Sequence, residues 1–305
     1  MRTKRLGQSD LEVSVLGLGC NNFGMTLDFE GSRAVIEAAL DAGINFFDTA
    51  DMYGETQSES FLGEVLKGRR DQVVLATKFG GLAMMSGGKA WGTRDAIVAC
   101  LEASLKRLGT DFVDLYQIHY VDPETPLDET LRALEDLVGA GKVRAIGCSN
   151  VNVAYLEEAE AASAGIRFAS VQNEWSLLNR EVEAELVPAC AQRGIGFIPY
   201  FPLASGVLTG KYKLGEDFDA GSRLAKLDYF GHFGSEENLR RVQELERFAT
   251  GQGRSLLALA LSWLASQPVV GSVIAGATRP EQIRQNAEAI AWELDAEALA
   301  AVDAV

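Results

Sequence analysis

Asp48, Tyr53, Lys78 and His119 are the side chains best suited, by type and order, to move a proton onto an oxygen. A free phenol titrates near 10, so Tyr53 donates sluggishly unless a nearby cation stabilises the phenolate and lowers its pKa. Lys78, ending the apolar run Leu75-Ala76-Thr77, could be that cation. Asp48 follows Phe46-Phe47, where a buried carboxylate needs a partner such as Lys78. His119 closes Asp114-Leu115-Tyr116-Gln117-Ile118-His119 and suits a hydrogen-bond donor to a reacting oxygen. It is one of only two histidines, too few for a multi-histidine metal site, so no metal is expected.

Each residue also has a plainer account. Asp48 could cap the loop that follows it, Lys78 could snorkel to solvent, Tyr53 could pack on the surface, and His119 could be a satisfied structural residue. Chemistry is favoured because all four fall at or just past the ends of expected strands, where the loops of a barrel converge on one mouth.

The elements that must position them read as repeated βα units. Eight runs rich in Val, Ile and Phe stand out: Val15–Gly19, Asn45–Thr49, Val73–Thr77, Phe112–Ile118, Ala145–Cys148, Ala169–Asn173, Gly196–Tyr200 and Val270–Ala275. Helix-patterned segments lie between them, among them Ser32–Asp41, Ser58–Leu66, Thr93–Leu108 and Leu127–Ala140. Thr93 has the type of a capping residue, and Gly109 and Gly141 have the type of stops. The pattern predicts an α/β fold, a (β/α)8 TIM barrel, in one domain spanning residues 1–305. Thr3–Val13, with Gly7-Gln8-Ser9-Asp10 as turn, predicts an N-terminal hairpin closing the barrel bottom. The segment 204–235 after the seventh strand is too long for an ordinary βα loop and is read as a lid.

Composition narrows the function. A net charge of −15 disfavours a nucleic-acid partner, because polyphosphate binding needs clustered Lys and Arg. The four cysteines form no CxxC pair, as expected of reduced thiols, and no run approaches membrane-spanning length. A cytoplasmic protein with no membrane association is expected; nothing in the sequence speaks to its oligomeric state. Gly17-Leu18-Gly19-Cys20-Asn21-Asn22 lacks the third glycine of a dinucleotide fingerprint, and Gly206-Val207-Leu208-Thr209-Gly210-Lys211 lacks P-loop spacing.

The motifs taken together resemble those of the aldo-keto reductases over nearly the whole chain. Phe47-Asp48-Thr49-Ala50-Asp51-Met52-Tyr53-Gly54 with Glu59 and Leu62-Gly63 looks like the family signature. Thr77-Lys78, the run ending at His119, Gly141–Asn150 and Gln172-Asn173 follow in family order. The resemblance implies a metal-free tetrad of Asp48, Tyr53, Lys78 and His119. In it Tyr53 protonates a carbonyl as hydride arrives from NADPH, Lys78 lowers its pKa, Asp48 holds Lys78, and His119 orients the carbonyl.

The resemblance also implies a cofactor site. Ser149, Asn150 and Gln172 match positions that hold the nicotinamide carboxamide, and Tyr200 matches the aromatic stacked on the ring. Gly19, Cys20, Asn21 and Asp48 are expected nearby. Phe201, Pro202, Leu203, Ser205, Gly206, Leu208, Gly210 and Lys211 fall in a loop resembling the one over the pyrophosphate. Gly276, Ala277, Thr278, Arg279, Gln282, Gln285 and Asn286 look like the adenosine end, where Arg279 could grip a ribose 2′-phosphate. The chain departs from members with Lys-Ser at Gly276-Ala277 and Arg at Gln282, which bears on NADPH against NADH; NADPH is the expectation.

Phe23, Tyr53, Trp91 and His119 are expected to contact a small carbonyl substrate, with Met25, Met52, Trp175, Tyr229, Phe230 and Phe233 as further apolar candidates. The competing reading is a non-catalytic, cofactor-binding regulatory subunit like the family's channel-associated relatives. A metal-dependent barrel hydrolase or isomerase would need ligand clusters that two histidines do not supply.

Overall fold

The computed structural model describes residues 1–216, 218, 224 and 228–305, with nothing described of the side chains of 228–230. Much of the expected lid, and the side chains of Tyr229 and Phe230, lie outside the described residues. The described residues of that segment include two 3-10 turns, Ala204–Thr209 and Asp228–Gly234.

Strands β1 (Thr3–Arg5) and β2 (Glu12–Ser14) form the antiparallel N-terminal hairpin. Eight parallel strands follow: β3 (Leu16–Gly19), β4 (Phe46–Asp48), β5 (Val74–Phe79), β6 (Val113–Ile118), β7 (Val143–Ser149), β8 (Phe168–Gln172), β9 (Gly196–Phe197) and β10 (Val273–Gly276). Each pairs with the next in sequence, and β10 pairs with β3. The remaining seam closes through the Phe197–Val270 bridge, with Phe197 N–H donating to Val269 O at 2.8 Å and Gly271 N–H to Phe197 O at 3.0 Å. The result is the expected (β/α)8 barrel.

The strands differ from expectation mainly at their ends. Gly196–Tyr200 shortens to the two residues of β9, because the chain beyond Phe197 turns toward the mouth, with Tyr200 bridging only Glu174. The helices Phe29–Asp41, Gln57–Val65, Arg94–Leu108 and Leu127–Gly139 fall within a few residues of their expected bounds. Thr93 precedes its helix but does not cap it; its hydroxyl donates to Ala90 O at 2.9 Å. Gly109 ends that helix at φ +62°, a conformation costly for a residue with a Cβ.

Register determines which side chains reach the mouth. Asp48 pairs with Ala76, Lys78 with Gln117, Gln117 with Gly147 and Ser149 with Gln172. Side chains alternate along a strand, so Phe46 and Asp48, Ala76 and Lys78, and Leu115 and Gln117 all point inward. Phe46, Val74, Ala76, Leu115, Ile198 and Ile274 fill the lower barrel with Leu6, Leu11 and Val13 of the hairpin segment. Gly7, at φ +56°, lets the turn press upward; a Cβ there would lie 2.4 Å from Ala169 O. The polar residues sit as a layer on this apolar plug, and the outward-facing residues pack in a separate core against the helices.

Candidate active site

Lys78 is fully buried on that plug, and its ammonium has three partners: Asp48 Oδ2 at 2.5 Å, Thr49 O at 2.9 Å and Tyr53 Oη at 3.4 Å. The other oxygen of Asp48 accepts from Gln117 Nε2 and Gln172 Nε2, both at 2.9 Å. A buried ion pair offsets its desolvation only when the remaining donors and acceptors are filled, and here they are. Burial works against the Lys78 charge, but Asp48 and Tyr53 outweigh it and hold the lysine above its ordinary pKa.

Tyr53 reaches the array from the loop after β4. Burial pushes its phenol up, and Lys78 pulls it down. The net direction is upward, which corrects the expectation of a lowered pKa: Lys78 acts with the expected sign, but desolvation exceeds it. Tyr53 therefore carries its proton at neutral pH. His119 stands beside it, ring centroids 5.8 Å apart and edge to face, and stacks on Tyr120 at 4.6 Å. Burial first, and the Lys78 charge second, hold His119 well below its ordinary pKa, so the imidazole is neutral. Its Nδ1 is buried without a hydrogen-bond partner. Gly81 makes this packing possible, since a Cβ there would stand 2.7 Å from that nitrogen and 2.5 Å from Met52 Sδ.

Above the array, Ser149 Oγ donates to Gln172 O at 2.7 Å, and Asn150 Nδ2 donates to His119 O at 3.0 Å. Tyr200 Oη donates to Asn150 Oδ1 at 2.9 Å, tying the loop after β9 to the loop after β7. A cavity of about 1110 Å³ opens over these groups. It is lined by Gly19, Cys20, Asn21, Asp48, Ser149, Asn150, Gln172, Tyr200, Phe201, Pro202, Leu203, Ser205, Gly206, Lys211, Gly276, Ala277, Thr278, Arg279, Gln282, Gln285 and Asn286, with Tyr53 and His119 at its floor.

Five expected site residues do not line it, the first being Lys78, which is sealed beneath Asp48 and Tyr53. Leu208 is fully buried in the helix-facing core, and Gly210 turns toward Glu246 and Leu256. Phe23 is likewise fully buried, and Trp91 packs against Gly80 with its Nε1 donating to Tyr120 O at 3.0 Å. Of the further apolar candidates Met52 reaches the cavity, whereas Trp175 is locked between Phe197 and Trp263 in the core. Residues that sequence reasoning passed over are Gln117, which braces Asp48, and Asn22 and Tyr120 in the lining. Gln117 had a signal: two residues before His119, it must face the same side of β6.

The cavity fits an elongated anion at one end. Phe201, Ala204, Ser205 and Gly206 take positive φ values of 51°, 44°, 55° and 93°, a tight turn in which Ala204 N–H donates to Phe201 O and Gly206 N–H to Leu203 O. Ser205 Oγ is buried there with no partner, an acceptor and donor left for a ligand. Lys211 Nζ lies over the Tyr212 ring at 4.8 Å, and neither it nor Arg279 has a carboxylate partner among the described residues. Two unneutralised cations in one cavity of a chain with net charge −15 mark a site for negative charge. Gln282 lines the same end, but its Oε1 is engaged by Thr278 N–H at 2.7 Å. Among the described residues no three His, Cys, Asp or Glu side chains gather as a metal site.

This barrel and this array of an inward lysine, carboxylate, phenol and imidazole define a class. The model of the Aldo/keto reductase family matches residues 15–305, and the chain belongs to that family of oxidoreductases. It is 37% identical over 303 residues to the probable voltage-gated potassium channel subunit beta of Oryza sativa subsp. japonica, covering 95% of this chain and 91% of that one. It is 35% identical over 304 residues to the aldo-keto reductase YhdN of Bacillus subtilis (strain 168), covering 97% and 91%. Among solved structures, the holo form of aldo-keto reductase AKR11C1 from Bacillus halodurans superposes with a TM-score of 0.83 at 31% identity, covering 100% of this chain and 96% of that one. The glycerol dehydrogenase AKR11B4 from Gluconobacter oxydans gives a TM-score of 0.85 at 28% identity, covering 99% and 94%.

Proposed function

We propose that this protein reduces aldehydes and ketones to alcohols with NADPH, reversibly, with Tyr53 as general acid. The observation that carries the reading is the Lys78 ammonium, shared between Asp48 Oδ2 and Tyr53 Oη at the floor of the cavity. Bound NADPH supplies a hydride to the carbonyl carbon. Tyr53 passes its hydroxyl proton to the carbonyl oxygen, completing the alcohol, and the phenolate left behind faces Lys78, which offsets its charge. Asp48 keeps Lys78 in place, and neutral His119 orients the carbonyl by a hydrogen bond. Solvent returns the proton to Tyr53.

Ser149, Asn150, Gln172 and Tyr200 hold the nicotinamide end, the 201–206 turn, Ser205 and Lys211 the pyrophosphate, and Arg279, Gln282, Gln285 and Asn286 the adenosine end. Arg279 is the residue that selects NADPH over NADH, since its guanidinium suits a phosphate monoester. The protein works in the cytoplasm as one domain; its four cysteines are free, and no helix among the described residues is long and apolar enough to cross a membrane.

The name of the Oryza sativa relative supports a second reading, a cofactor-binding subunit that regulates a channel. Oxidation of NADPH, with NADH in parallel, against aromatic and aliphatic aldehydes separates the two. Sustained turnover supports the reductase. Tight NADPH binding with no turnover of any carbonyl or alcohol supports the regulatory subunit.

A further inference from the structure

At the end of the barrel opposite the candidate active site, a second cavity of about 500 Å³ opens. It lies between the hairpin turn at Gln8-Ser9, the starts of β7 and β8, and the chain leaving helix Val153–Ala162. Pockets of roughly 300–1,000 Å³ are the usual size for small-molecule ligands. Three arginines from three different elements face this one: Arg144 on β7, Arg167 just before β8, and Arg193 at the end of helix Leu186–Arg193.

Their charge is under-compensated. Glu160, the carboxylate in the cavity wall, stands 3.7 Å from Arg167 Nη1 and 3.2 Å from Arg193 Nε. Arg193 Nε is nevertheless buried without a hydrogen bond, and the hydrogen bond of this guanidinium is from Nη1 to Ala189 O. Arg144 Nη1 binds Asp114 Oδ1 at 2.6 Å, but Asp114 is already shared with Arg70 through Oδ2 at 2.7 Å. Asp114 and Glu160 thus pair with four guanidinium groups, with Glu135 beside Gly165 as a further carboxylate at the cavity edge, and Arg144, Arg167 and Arg193 keep unused N–H donors. A local surplus of positive charge in a concave site, in a chain of net charge −15, favours an anion.

We propose that this cavity binds a small phosphate-bearing molecule, its phosphate gripped by Arg144, Arg167 and Arg193 and its apolar body resting on Leu156, Ile166 and Phe168. Guanidinium forks match phosphate oxygens two at a time. The size of the cavity and the overall negative charge select a small soluble ligand over an extended polyanion.

The probe is inorganic phosphate, titrated into the full-length protein at constant ionic strength in chloride, with melting temperature and titration calorimetry as readouts. Phosphate could also enter the large cavity at Lys211 and Arg279, so Lys211→Ala/Arg279→Ala serves as background. The stabilisation by phosphate is expected to persist in that background and to weaken at least about tenfold in affinity when Arg167→Ala is added. Arg167 is 73% exposed, so its replacement leaves the fold intact. Stabilisation that disappears in the Lys211→Ala/Arg279→Ala background, that chloride alone reproduces, or that ignores Arg167→Ala overturns the proposal.

Discussion

Lys78 Nζ lies 2.5 Å from Asp48 Oδ2, and both side chains are sealed from solvent, with 0% and 2% exposure. The pair is the floor on which the rest of the site stands. Removing either partner leaves a buried charge without compensation, at about 3–5 kcal/mol. Lys78→Met and Asp48→Asn should each lower the unfolding free energy, measured by denaturant titration, by that order. The double variant should lose clearly less than the sum of the two. Additive losses in a double-mutant cycle would mean that the two side chains do not depend on each other.

Burial raises the Asp51 carboxyl from 3.8 to about 6. The folded chain thus holds this proton more tightly than the unfolded chain, so this group's contribution to stability is full at acid pH and falls as pH rises through that window. Asp51→Asn keeps the oxygen that accepts from Leu82 N–H at 3.3 Å and abolishes the titration. Relative to the parent, it should gain about 2 kcal/mol in unfolding free energy between pH 4 and pH 7. An equal difference at both pH values, by urea unfolding, would show that Asp51 is not raised.

Arg279 precedes helix Pro280–Ala289 and faces the large cavity without an ion-pair partner among the described residues. Arg279→Ala should weaken NADPH binding about tenfold or more and leave NADH within about twofold. Fluorescence titration with both nucleotides checks this. Equal losses for the two would remove Arg279 as the selecting residue.

Strand positions were legible because runs rich in β-branched and aromatic residues are set off by glycine-bearing loops. Which side chains point inward was less so. Strands such as β5 and β6 are buried on both faces, so no polar alternation marks the barrel interior. Only the spacing from a recognised residue, as from His119 back to Gln117, reveals it. The aromatics Phe23, Trp91 and Trp175 lie outside the cavity lining, and residue type alone does not distinguish a loop aromatic that turns into a core from one that lines a cavity. The backbone shape of the 201–206 turn was also hidden: Phe201, Ala204 and Ser205 take left-handed backbone conformations that carry no signature in residues other than glycine. Thr93 shows the converse, a residue of capping type whose hydroxyl finds a nearer acceptor.

The role of Tyr53 is tested most directly by comparing turnover of an aldehyde by the parent protein and by Tyr53→Phe, with NADPH affinity measured on both. The account predicts that kcat falls by about 100-fold or more while NADPH affinity stays within about twofold, because the substitution removes only the proton-bearing oxygen. Undiminished turnover in Tyr53→Phe would contradict it, and would mean that the proton reaches the carbonyl oxygen from another group.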